Sequence, residues 1–116
     1  MHFKELDVYK RSYKLALEVH GLSLTIKPLL QYDLGDQLRR ASTSIVLNIA
    51  EGSGQPTKKG FALYIQRSKS SALECVACIK VALQEEFVLS VDTVTVEQLL
   101  ETEYFKLVGL GKSMRV

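Results

Sequence analysis

The sequence predicts an all-α protein: an antiparallel up-down-up-down four-helix bundle formed by residues 1–116 as a single domain. Three observations lead there. Apolar residues recur at spacings of three and four in four separate blocks, the signature of helices with a buried stripe. The blocks are parted by short breaks, at Pro28, at Gly52-Ser53-Gly54-Gln55-Pro56 and at Leu89 to Val94, and no convincing strand pattern fills any of them. Short connections make consecutive helices antiparallel neighbours. A chain of 116 residues is also long enough to bury one core without disulfide staples.

The first helix is expected from about Phe3 to Ile26, with Leu6, Tyr9, Tyr13, Ala16, Leu17, His20 and Leu24 as its periodic face. Pro28 ends it, and Leu29 to Tyr32 forms a link. Asp33 is the expected N-cap of the second helix; Asp36 adds negative charge against the positive end of the helix dipole. That helix is expected to stop at Gly52. Thr57 caps the third, whose core stripe reads Phe61, Ile65, Ser68, Ala72, Cys75, Val76, Ile79, Leu83 and Phe87 over about thirty residues. Leu89 to Val94 is β-branched and polar enough to break helix. Thr95 with Gln98 makes a capping box for the fourth helix, faced by Leu99, Leu100, Tyr104, Leu107, Val108 and Leu110.

Two of these helices have more than one face to satisfy. In the second, Leu34, Leu38, Ala41, Ile45 and Ile49 form the core stripe, and Gln37, Arg40, Ser44, Asn48 and Glu51 a polar stripe beside it. Val46, Leu47 and Ala50 lie on the far side with Arg39 and Thr43, where a monomer would show only polar groups. In the third, Leu63, Leu73, Ala77, Val81 and Val88 project away from the core stripe. Excess apolar surface of this kind marks an interface, and one chain type usually closes into a symmetric assembly. Arg39, Arg40, Val46, Leu47, Ala50, Leu63, Leu73, Ala77 and Val81 are therefore the expected oligomer interface.

Leu6-Asp7-Val8-Tyr9, Gln37-Leu38-Arg39-Arg40-Ala41, Ser44-Ile45 through Asn48-Ile49-Ala50-Glu51-Gly52, and Ser71-Ala72-Leu73-Glu74 together resemble a known pattern. They are similar to the bacterial four-helix-bundle proteins found in intervening sequences of 23S ribosomal RNA genes, over nearly the whole chain. The resemblance implies a ring, commonly a homopentamer, with no enzymatic activity. A related branch, the accessory variability proteins of diversity-generating retroelements, binds nucleic acid and a reverse transcriptase. This chain departs from the pattern at Lys69-Ser70, which puts local packing of the third helix in question, and at Gly109 and Gly111, which make its C-terminus expected to fray.

Composition excludes several classes. No apolar run is long enough to span a bilayer. The N-terminus lacks the apolar core and cleavage site of a secretory signal, so a cytoplasmic location is expected. Net charge is only +2, so any affinity for nucleic acid must come from charge distribution. Lys10, Arg11 and Lys14 in the first helix, Arg39 and Arg40 in the second, and Lys58, Lys59, Arg67 and Lys69 around the third are the candidates, since a ring repeats any basic patch. The bland alternative is that these are solvated helix faces.

The remaining constellations point to structure. Cys75 and Cys78 form a C-x-x-C pair with neither a second pair nor a nearby histidine, well inside a helix, and read as packing residues. Ser44, Asn48, Glu51 and Glu74 are read as a polar network, with Glu51 meeting Arg39, Arg40 or Arg67, because no Glu-x-x-His repeat accompanies them. No serine has a histidine partner, and the Gly52 to Gly60 loop lacks the spacing of a phosphate-binding loop. No cofactor, metal or catalytic residue is expected. The leading expectation is a non-enzymatic oligomeric scaffold for RNA, DNA or a nucleic-acid enzyme. The alternative is a purely protein-interaction ring, with a metal-bearing bundle enzyme a distant third.

Overall fold

The computed structural model describes residues 3–28 and 31–114. It contains four α-helices, α1 (Asp7–Ser23), α2 (Asp36–Ser53), α3 (Lys58–Gln84) and α4 (Ser90–Ser113), and no strand among the described residues. A 3-10 turn, Phe3–Glu5, precedes α1, and a π turn, Gln31–Gly35, leads into α2. The helix α1 packs on α2 and α4, and α3 packs on the same two. Specific bonds join the neighbours. His20 and Arg39 join the end of α1 to the start of α2, through Thr43 Oγ1 at 3.3 Å and Ser23 Oγ at 2.9 Å. Ser68 Oγ donates to the Ile45 carbonyl at 2.9 Å, and Tyr64 reaches Glu51 thirteen residues earlier in the chain. Lys80 late in α3 meets Glu97 early in α4 at 3.1 Å.

In α2 the buried apolar side chains are Leu38, Ala41, Ile45 and Ile49, as expected from the spacing, joined by Ser42, Gly52 and Ser53, while Leu34 of the expected stripe is half-buried before the helix begins. In α3, Phe61, Ile65, Ser68, Ala72, Cys75 and Ile79 are buried as expected, joined by Cys78 and Ala82. Thr57 caps α3, its side chain accepting the Gly60 N–H at 3.0 Å.

The first helix turns a different face inward. Val8, Ser12, Leu15, Val19 and Leu22 are buried, while Tyr13, Leu17 and Leu24 are more than half exposed. Two stripes with helical spacing run along α1, and the one containing Ser12 is the core stripe, because that small residue bonds the Tyr9 carbonyl at 2.8 Å and lies fully buried. The helix also starts at Asp7 and ends at Ser23, inside the expected bounds.

Three helix ends differ as well. Asp33 is not an N-cap: it lies within the π turn that runs straight into α2, and Gly35 at the boundary has helical backbone angles. The link expected at Leu29 to Tyr32 lies partly outside the described residues. Gly52 does not stop α2 but sits inside it, where a Cβ would come within 2.6 Å of Tyr64 Cβ; the absence of a side chain lets α2 and α3 approach. The helix α4 begins at Ser90, five residues before the expected Thr95. Burial of Thr93 and Val96 overrides the low helix propensity of the β-branched run.

The α3 terminus is closed by two bonds, Phe87 N–H to the Ala82 carbonyl at 2.8 Å and Glu86 N–H to the Leu83 carbonyl at 3.1 Å. This is a Schellman arrangement with Glu86 in the left-handed position at φ 60°. The turn brings Val88 inward, so that it is buried rather than projecting away. At the other end α4 remains helical through Gly109 and Gly111 to Ser113, where fraying was expected.

Candidate functional site

The basic residues fall into separate groups. Lys58 and Lys59 open α3, where unpaired backbone N–H groups and the helix dipole already present positive potential. One face of α3 carries Lys59, Leu63, Gln66 and Lys69, and against it packs the last turn of α4 with Val108, Gly111 and Lys112. Between them lies a half-open groove of about 610 Å³ with Ala62, Leu63, Ile65 and Val108 as its apolar part. Among the described residues three lysines and no carboxylate line it. Among the described residues none of Lys58, Lys59, Lys69 and Lys112 is in an ion pair.

The other sequence candidates do not join this groove. Lys10 and Lys14 are exposed on α1, and Arg67 lies over the Tyr64 ring, 4.7 Å from its centroid. Lys112 was missed in the sequence. Its signal was the four-residue spacing from Val108, which carries the face holding Val108 one turn further.

The expected polar network divides in two. Asn48 Nδ2 donates to the Ser44 carbonyl at 2.8 Å and to Ser44 Oγ at 2.9 Å, and Ser71 Oγ of α3 donates to the same hydroxyl at 2.9 Å. Glu51 accepts from the Tyr64 hydroxyl at 3.5 Å and pairs with none of Arg39, Arg40 or Arg67. Arg39 instead holds Asp36 at 3.2 Å and Ser23. Glu74 and Arg40 border one cleft between α2 and α3 with Gln37, Ser44 and Ser71, without an ion pair.

Of the expected interface residues, Leu47, Leu63, Leu73, Ala77 and Val81 are exposed, whereas Val46 and Ala50 are half-buried.

The cysteines are free and buried. Burial, with Cys78 and Glu74 adding to it, pushes the Cys75 thiol up to about 12, and burial likewise raises Cys78. Neither is a thiolate near neutrality. No group of three or more His, Cys, Asp or Glu that could hold a metal occurs among the described residues.

A buried acid was not foreseen. Glu103 of α4 is 1% exposed, and both carboxyl oxygens lack a hydrogen-bond partner among the described residues. Desolvation raises its pKa to about 8, opposed by Arg11 and aided by Asp7, both on α1. The signal was present in the spacing: Val96, Leu100, Glu103 and Leu107 form one stripe.

No helix among the described residues is long and apolar enough to cross a membrane. The sequence profile of one family, described as 23S rRNA-intervening sequence protein, matches residues 4–108. No curated protein matches the chain.

Proposed function

Starting from the fact that this chain belongs to the 23S rRNA-intervening sequence protein family, we propose that it is a non-enzymatic scaffold that assembles as a ring, a homopentamer by resemblance, and binds nucleic acid through basic patches repeated by the symmetry. Each subunit is one antiparallel up-down-up-down four-helix bundle. Four bonds between consecutive helices support this, since those four join the later part of one helix to the earlier part of the next.

The observation that carries the ligand reading is the α3–α4 groove, in which Lys59, Lys69 and Lys112 have no carboxylate among the described residues that line it. Lysines left without acidic partners keep their charge available for phosphate. Binding of this type releases counterions, depends weakly on sequence and falls steeply with salt. Lys58 and Lys59 are the central residues, with Lys69 beside them; Lys10, Lys14 and Arg67 contribute from other faces. A nucleic-acid enzyme is a further candidate partner, and the reading includes no cofactor and a cytoplasmic setting.

Electrophoretic mobility shifts on RNA, single-stranded DNA and duplex DNA at low and moderate salt test it. Retardation at low salt that Lys58→Glu with Lys59→Glu weakens, and Lys27→Glu leaves unchanged, is the expected result. No retardation of any of the three at low salt leaves the protein-interaction ring as the better reading, which the exposed Leu47, Leu73 and Val81 support independently.

A further inference from the structure

Two exposed surfaces of the bundle present opposite charges at one end. One is a groove between α1 and α4 bordered by Leu17, Glu18, Gly21, Val91 and Asp92, which contains two carboxylates and no cation. Leu17 and Val91 there are 60% and 76% exposed, and neither acid is in an ion pair among the described residues. The other is the outer face of α2, where Arg40 and the exposed Leu47 border a shallow depression that extends to Glu51. Arg39 beside it is engaged by Asp36 and Ser23, whereas Arg40 is in no ion pair among the described residues.

The contact pattern sets these surfaces apart. Since α1 touches α2 and α4, and α3 touches the same two, the α1–α4 side is opposite the α2–α3 side, whose cleft Arg40 also borders. Both charged patches nevertheless lie at the same end of the bundle. Arg39 ties the start of α2 to Ser23, and the α1–α4 groove runs past Leu22 to Thr25.

The order of groups along the two faces is complementary. Down α2 from that end come Arg40, Leu47 and Glu51; down α1 come the Asp92 level beside Gly21, then Leu17, then Lys14 and Lys10, which are in no ion pair among the described residues. At about 1.5 Å rise per residue, the eleven steps from Arg40 to Glu51 and the eleven from Gly21 to Lys10 each span about 16 Å. Opposite charges therefore meet at both ends of the match. Leu47, about 10 Å below Arg40, falls level with the stretch between Tyr13 and Leu17, both exposed.

We infer that the occupant of the α1–α4 groove is the α2 face of a second copy of this chain, with Arg40 of one subunit set against Glu18 and Asp92 of the next. The inference rests on the oligomer reading above and specifies which surfaces meet. Because the two surfaces are different and face apart, the contact is head-to-tail and repeats at every subunit; the ring proposed above requires that the rotation between successive subunits closes. Because both patches lie at one level, the bundle axes run side by side around it. Arg40 then has a structural role, and the α3–α4 groove stays open.

Sedimentation velocity on the full chain tests this with Arg40→Glu, with Glu18→Lys plus Asp92→Lys, and with all three changes together, helicity being checked by circular dichroism. Each one-sided reversal is expected to weaken association about tenfold or more, and the combined variant to restore it, because the charges are again opposite. Weakening by both without restoration would show that the two surfaces do not touch one another. An oligomer unaffected by either variant overturns the pairing while the oligomer reading stands. A wild-type chain that is monomeric at every concentration overturns the oligomer reading itself.

Discussion

Replacing Glu103 should stabilise the protein, by an amount that depends on pH in a defined direction. The carboxyl is 1% exposed, makes no hydrogen bond among the described residues, and titrates at about 8 against an ordinary 4.5. Desolvation is the main cause; on the facing helix Arg11 lowers the value and Asp7 raises it, and those two are already paired at 2.9 Å. With the folded pKa above the unfolded one, this group's contribution is fully present below about pH 4.5 and is lost as pH rises to about 8. Between those limits the unfolded chain has released a proton that the folded chain retains, so stability falls by about 1.4 kcal/mol per pH unit. The accumulated loss is about 3 kcal/mol at pH 7. Glu103→Gln removes the titration and Glu103→Leu also removes the unpaired polar group, so Glu103→Leu is expected to exceed wild type by about 2–4 kcal/mol at pH 7. Urea unfolding of all three proteins from pH 5 to pH 8 isolates the term as a difference, since the other carboxylates cancel. The wild type should lose roughly 3.5 kcal/mol relative to Glu103→Gln across that range. A difference that stays constant with pH would show that Glu103 is ionised and solvated in the folded state, and would refute the reasoning.

Gly52→Ala should destabilise by about 1–3 kcal/mol despite the better helix propensity of alanine, because its methyl would lie 2.6 Å from Tyr64 Cβ and two helix backbones would have to part; thermal unfolding measures it. Glu86→Gly should stabilise by about 0.5–1 kcal/mol, since glycine accepts the left-handed backbone at φ 60° without a Cβ penalty, and an unchanged midpoint would argue against strain there. Both cysteines should resist a thiol reagent at pH 8 in the native state and react at least about a thousandfold faster in denaturant, as read by absorbance, because burial keeps the thiols protonated.

Four helices were legible because the stripes of α2 and α3 are continuous: Leu38, Ala41, Ile45 and Ile49, then Phe61, Ile65, Ala72 and Ile79, leave one inward face. In α1 two stripes compete, and spacing alone favours the aromatic one, whereas packing selects the one whose Ser12 is small enough for a close contact. The start of α4 was hidden because Val91, Thr93 and Val94 are poor helix formers whose helix depends on partners distant in sequence. Gly52 reads as a terminator in one dimension and as a contact in three. At the candidate site, Lys58, Lys59 and Lys69 were visible as charge, but Lys112 joins them only through the packing of α4 on α3.

The seam between α1 and α4 is the soft edge of the molecule. Where α2 meets α3, Gly52, the Ser68 hydroxyl and the shared Ser44 hydroxyl knit the helices together, whereas α1 and α4 enclose a carboxyl that must keep its proton to stay inside. An alkaline shift therefore acts on that seam through Glu103. A neighbouring subunit lying across that side would bridge both helices and act as a splint, so that self-association would protect the seam that a lone subunit leaves to its own acid.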